Sequence, residues 1–132
     1  MIPGVDTNDR NWAIYANAAG LLVFTNIPFA NLIATLLVWL KVRNDPNTPF
    51  ARAHAATALN FQITWTIFTF CFIGLLVSIA ATGGGRFAAL LPTIVAAYFA
   101  LAVLNVLLCV IGCARASDIK GYRYPLSIQF VR

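Results

Sequence analysis

"TPFARAHAATALNFQITW", Thr48 to Trp65, runs without a break into a long apolar stretch, yet it carries an arginine, a histidine, an asparagine and a glutamine. Why a segment about to enter an apolar phase keeps four polar side chains at its start is the question that decides the fold. Thr48 before Pro49 is a good N-cap with proline at the first helical position. From there nothing stops a helix until the glycines at 83–85. Such a helix has 34 residues and is about 51 Å long. A bilayer hydrocarbon core is only about 30 Å thick. If Ile63–Ala81 crosses it, the surplus lies at the polar end. Arg52, His54, Asn60 and Gln62 would then reach water and lipid phosphates, with Trp65 at the interface where indole is favoured.

Composition agrees that a membrane is involved. The 132 residues are 61% hydrophobic and 10% charged, with mean hydropathy +0.81, more apolar than a soluble domain of this size requires. Ala13–Leu40, Ile63–Ala81 and Phe87–Ala114 are nearly uncharged and each long enough to span. "MIPGVDTNDRN" lacks the basic region of a signal peptide, so the first apolar segment is expected to stay.

The charge of +5 might suggest nucleic acid, but its placement points to topology. Lys41, Arg43 and Arg52 precede the second long run, and Arg115, Lys120, Arg123 and Arg132 follow the last. Only Arg86 lies in the loop between them. The positive-inside rule puts the basic loop and the tail in the cytoplasm and the glycine loop outside. A bacterial cytoplasmic membrane is the expected location.

Ala13–Leu40 admits two readings. "TNIPFAN" interrupts it, and Asn26 and Pro28 would break a continuous helical ladder. One kinked span places the N-terminus outside, with seven basic residues inside and two outside. A short hairpin places it inside, with eight and one, because only Arg10 changes sides. Length favours the span, since 12 residues of helix reach about 18 Å; charge slightly favours the hairpin.

Thr57, Asn60, Thr64, Cys71, Gly74 and Ser78 form a small and polar stripe on one long helix, and Tyr98, Ala102, Asn105, Cys109, Gly112 and Ala116 form one on the next. Small residues let membrane helices approach, and amides bond across the contact. Asn17, Gly20, Asn31 and Thr35 offer similar material earlier. Asn60 is expected to bond a neighbouring helix or a backbone carbonyl.

Catalysis is not expected. There is one histidine, no glutamate, and four aspartates outside the apolar runs. Cys71, Cys109 and Cys113 have no zinc spacing, and buried cysteine is the default reading. Gly83–Gly85 lacks the lysine of a phosphate loop. No metal, cofactor or small-molecule substrate is implied.

"VWLKVRNDPN", the opening stretch, "WAIYANAAGLL" and "GYRYPLSIQFVR" together resemble a bacterial family of small membrane proteins of unknown function, related to the four-helix subunit of the chloroplast inner-envelope protein translocon. Pro49, Phe50, Arg52 and His54 carry the plastid-like pattern, and Ala58 to Thr64 the bacterial one. The family commonly has histidine where this chain has Asn17, so a histidine pair or metal site is not expected. The resemblance implies four helical segments with both termini on one side, which favours the hairpin. Translocation or membrane biogenesis is an analogy it suggests.

The expected architecture is an all-α membrane bundle of two short and two long helical segments, residues 1–118, followed by an extended tail, 119–132. In that tail Tyr122, Tyr124, Leu126, Ile128 and Phe130 alternate with the intervening residues like a half-buried strand. No second strand-like segment exists to pair with it. It must therefore lie along the interface or add to a partner's sheet. The function expected is a non-catalytic interaction or assembly module with a membrane-protein partner or a second copy; the alternative is a small oligomeric channel or carrier lined by the stripes. Arg52, His54, Thr57, Asn60, Gln62, Thr64, Asn105, Tyr122 and Tyr124 are the candidate interaction or packing residues.

Overall fold

The computed structural model describes residues 4–25, 29–83, 85–125 and 127–131. Four α-helices follow one another: α1, Thr7–Ala18; α2, Ala30–Val42; α3, Pro49–Gly83; and α4, Gly85–Ser117. A 3₁₀ segment, Ala19–Thr25, extends α1. No strand occurs among the described residues. The chain is an all-α bundle with two short and two long helices, and its last described residues belong to no helix or strand.

Pairings along α3 show how the first two helices run. Asp9 meets Phe50 and Ala51, Asn17 meets His54, and Gly20 lies against Gln62, so α1 climbs beside α3 in the same direction. Asn31 meets Gln62 while Thr48 reaches back to Val42, so α2 descends. Residues 13–42 are therefore a hairpin and not one kinked span. Asn26 and Pro28, on which that choice was posed, lie outside the described residues, as do Gly84, Leu126 and Arg132. The ring of Phe29 stacks on Phe70 at 5.7 Å, so the hairpin reaches some 20 residues up α3, about 30 Å.

Above that level α3 and α4 continue as a pair, joined by the stack of Phe72 on Tyr98 at 5.7 Å. Both are long and apolar enough to cross a bilayer, and almost none of either apolar stretch is buried inside the protein. Phe70, Leu75, Val77, Val95 and Phe99 are more than half or nearly half exposed, the arrangement of side chains solvated by lipid. Pro92 is accommodated within α4, as proline often is in membrane helices. Outward apolar residues also line α2, where Ile33, Leu36, Leu37 and Leu40 recur at helical spacing. The close-packed core lies low in the molecule, built from small residues: Ala13, Ala16, Ala51, Ala55 and Ala116 let the four helices approach, with Phe50 and Val42 filling between them.

The two stripes fare differently. On α4, Asn105, Cys109, Gly112 and Ala116 are buried as a packing face. On α3 the lower members turn inward, whereas Cys71, Gly74 and Ser78 are exposed, and Gly74 has open space beside it.

Candidate functional site

The polar residues at the start of α3 do not face water. His54, Asn60 and Gln62 are at most 3% exposed, and protein groups satisfy them. This corrects the expectation of aqueous and phosphate partners. The reason is the hairpin, which packs around the lower half of α3 and excludes solvent there. Only Arg52 remains half-buried at the rim, its guanidinium donating to the Asp45 carbonyl at 2.8 Å.

The start of α3 is capped from another helix. Pro49 has no N–H, so the first unfilled donors are those of Phe50 and Ala51. Both donate to the Asp9 carboxylate, at 3.1 and 2.6 Å, and Asp9 is 2% exposed. A carboxylate is favoured there by the positive end of the helix dipole. Thr48, the residue expected to cap, instead directs its hydroxyl to the carbonyls of Val42 and Asp45, both at 3.4 Å. Asp9 carried no signal as a site in the sequence; an acid four residues before an apolar run was the only hint.

Next comes a fully used amide. Asn17 donates through Nδ2 to the Ala13 carbonyl at 2.7 Å and to Nδ1 of His54 at 3.0 Å, and its Oδ1 accepts the Tyr124 hydroxyl at 2.7 Å. Because Nδ1 of His54 accepts, its Nε2 carries the proton and donates to the Lys120 carbonyl at 3.1 Å. Three parts of the chain, α1, α3 and the tail, are thus locked by one neutral imidazole and one amide. Asn17 is the direct partner of His54. The fit leaves no room to spare: a Cβ at Gly112 would collide with Asn17 Oδ1 and lie 2.7 Å from the Tyr124 oxygen. Burial pushes the Tyr124 phenol far above the ordinary range, and it raises Tyr122 as well. Tyr124 stacks on Phe61 at 4.4 Å, with Tyr122 edge-on to it at 4.8 Å.

A second chain of bonds crosses the bundle. Asn31 Nδ2 donates to Gln62 Oε1 at 2.6 Å, Gln62 Nε2 to Cys109 Sγ at 3.6 Å, and the Cys109 thiol to Asn105 Oδ1 at 3.7 Å. Cys109, read from sequence as a small apolar filler, is a link in this relay. A Cβ at Gly20 would lie 2.5 Å from both Cys109 Sγ and Gln62 Nε2, so only glycine permits the crossing.

The tail's unpaired backbone finds its partner on α3. Asn60 acts as a surrogate peptide group: Nδ2 donates to the Val131 carbonyl at 2.7 Å, and Oδ1 accepts from Phe130 N at 2.8 Å and Val131 N at 2.7 Å. Thr64 accepts from Ile128 N at 3.1 Å. The expectation that Asn60 bonds a backbone carbonyl is met, although the carbonyl belongs to the tail. Of the candidate residues, His54, Asn60, Gln62, Thr64, Asn105 and Tyr124 are brought into these networks. Thr57 bonds only the His54 carbonyl of its own helix. Among the described residues no group of three or more His, Cys, Asp or Glu side chains gathers at one point.

Comparison with curated proteins and with solved structures finds no match. Among protein families, the magnetosome magnetite crystal formation protein family matches residues 8–131, nearly the whole chain. Nothing in these matches supports the likeness to the chloroplast translocon subunit.

Proposed function

Because the chain belongs to the magnetosome magnetite crystal formation protein family, a family of small bacterial membrane proteins, we propose that it serves magnetite formation as a non-catalytic assembly module of the magnetosome membrane. It organises other membrane components and does not itself transform iron. The observation that supports this is the direction of its polar side chains. Asn17, His54, Asn60, Gln62 and Tyr124 are bonded to other groups of the protein itself and hold the hairpin and tail to α3. What the protein offers its neighbours is an apolar outer surface on α2, α3 and α4, with basic residues at the ends of the helices.

The alternative, an oligomeric channel lined by the polar stripes, has less support. Asn60, Gln62 and Thr64 already have internal partners, and the outward part of the α3 stripe is reduced to Cys71, Gly74 and Ser78. Intramembrane pathways are usually marked by acidic side chains, lysine, arginine or histidine, and both apolar runs lack all of these.

The test is removal of the gene in a magnetosome-forming host, with electron microscopy of the crystals, combined with gentle-detergent purification of the tagged protein. Altered crystals and a stoichiometric membrane partner are expected. Normal crystals refute the role in magnetite formation. Altered crystals with a partner-free protein that conducts ions in liposomes refute the assembly reading and favour the channel.

A further inference from the structure

His54 lies near the start of α3, ahead of the apolar run that begins at Ile63, and is 1% exposed. Supplying one donor and one acceptor does not require an imidazole, since glutamine carries both. What the imidazole adds is a charge that changes between pH 5 and 8.

The two ring nitrogens are answered in a way that admits only the neutral form. Nε2 meets the Lys120 carbonyl at 3.1 Å, which can only accept. Nδ1 meets Asn17 Nδ2 at 3.0 Å, and an amide nitrogen can only donate. The amide is oriented by groups other than the ring. Its Nδ2 lies 2.7 Å from the Ala13 carbonyl, and its Oδ1 lies 2.7 Å from the Tyr124 hydroxyl. A protonated ring carries hydrogen on both nitrogens, so Nδ1–H would be set against the Asn17 N–H. Turning the amide over would answer His54 but place Oδ1 against the Ala13 carbonyl, acceptor to acceptor. Gly112 packs so closely on Asn17 that a Cβ there would collide, which leaves the amide little room to swing aside.

No neighbouring group relieves this. On α1 the Asp9 carboxylate attracts a cation at His54, but it is engaged by Phe50 N and Ala51 N. On α3 the Phe50 ring packs against the imidazole at 4.6 Å. Lys41 of α2 and Arg115 of α4 are exposed, and the α4 thiols Cys109 and Cys113 bond Asn105 and the Ile14 carbonyl. In the tail, Tyr124 is bonded to Asn17, and the exposed Lys120 ammonium lies 3.2 Å from Asp118. Among the described residues the bonding partner of Nδ1 is Asn17 Nδ2 alone.

We propose that this junction is a proton-operated latch: uptake of a proton by His54 parts it from Asn17, lifting α1 off α3 and freeing Tyr124 from its acceptor. The latch is closed at neutral pH and opens on acidification, where the hairpin, α3 and the tail meet. The extra proton binds the open form alone. Stability supplied by the junction is therefore complete above about pH 6.5, the pKa of an exposed imidazole, and declines by up to about 10-fold per pH unit below it.

The test follows amide hydrogen exchange of the full-length protein in mild detergent from pH 7.5 to 5, with rates corrected for the intrinsic effect of pH. A helix of 12 residues frays without its packing. Protection of α1 should therefore fall about 10- to 30-fold over that interval, while the apolar runs of α3 and α4 keep theirs. His54→Gln keeps a donor and an acceptor without a titratable ring and should show no such fall. Nitrogen-15 NMR of His54 in the parent protein needs no variant to fold. It should show Nδ1 unprotonated at pH 7.5 and the second proton arriving together with the loss of protection. An imidazole that stays neutral to pH 5 overturns the latch, as does protection of α1 that does not change. The same fall in His54→Gln also overturns it and assigns the acid response to a carboxylate such as Asp9.

Discussion

Replacing Asn60 by leucine removes three hydrogen bonds at once without changing the size of the side chain much. The donor to Val131 and the acceptor for Phe130 and Val131 both disappear, at distances of 2.7 to 2.8 Å. A typical bond contributes about 0.5–1.5 kcal/mol net, so the three together represent about 1.5–4.5 kcal/mol. The tail lies partly exposed, with Ile128 and Phe130 at least half accessible, so its freed backbone can recover some bonding from water. A loss of about 1–3 kcal/mol follows, or about 4–12 °C in melting temperature for a chain of this length. Asn60→Asp keeps the acceptors for the two N–H groups and loses only the donor, so it should fall between. The assay is thermal melting in mild detergent, paired with carboxypeptidase digestion, because a freed tail should be trimmed to the neighbourhood of Tyr124 while the bundle persists. Unchanged melting together with unchanged trimming in Asn60→Leu would refute the assignment of Asn60 as the anchor of the tail.

Asp9→Ala leaves Phe50 N and Ala51 N without their cap and should cost about 1–2 kcal/mol, measured by thermal melting, whereas Asp9→Asn should recover part of it. Tyr124 has a phenol raised above its ordinary 10.0 by burial, so its contribution to stability is complete below pH 10 and declines as pH rises beyond that. Tyr124→Phe should lower stability at neutral pH by about 1 kcal/mol and flatten the alkaline decline, and an unchanged alkaline slope in that variant counts against burial as its cause. The hairpin puts the start of α1 beside the start of α3, so single cysteines at Thr7 and Asn44, in a background without the native cysteines, should be labelled from the same side of the membrane and one at Ala80 from the other. Labelling of positions 7 and 80 from one side contradicts the hairpin.

The long helices were legible because length, hydropathy and terminators all agree there. Pro49 and the glycines after Thr82 bracket α3 to within one residue of its observed end at Gly83. The hairpin was harder. Twelve residues of helix look too short to matter until one sees that the 3₁₀ segment extends them and that α3 supplies a polar wall to pack against. Burial of His54 and Gln62 could not be read from a single helix, since the stretch from Thr48 to Trp65 is polar in the same way whether water or another amide answers it. Period two in the tail marked a segment whose backbone needs partners, but the alternation does not hold in burial, since Tyr124 is buried while Ile128 and Phe130 are exposed. The tail's partners are side chains of Asn60 and Thr64, a pairing with no periodic signature, so pattern alone pointed toward a sheet. Asn105 stood out only as a member of a stripe, and its place at the end of a relay emerges from three side chains on three helices.

The described part of the hairpin reaches the level of Phe70, and α3 and α4 continue as a pair beyond it. The molecule is therefore four helices wide over its lower part and two wide above, a taper of about twofold in cross-section for helices about 10 Å across. A tapered body inserted in a bilayer displaces more area in one leaflet than in the other. If the broad end faces the cytoplasm, as the positive-inside rule predicts for the basic loop and tail, the surplus falls in the leaflet that is stretched on the outside of a small intracellular vesicle. Such a shape relieves packing stress on a curved membrane and adds to it on a flat one, so the protein should partition into vesicles of small diameter over large ones of the same lipid.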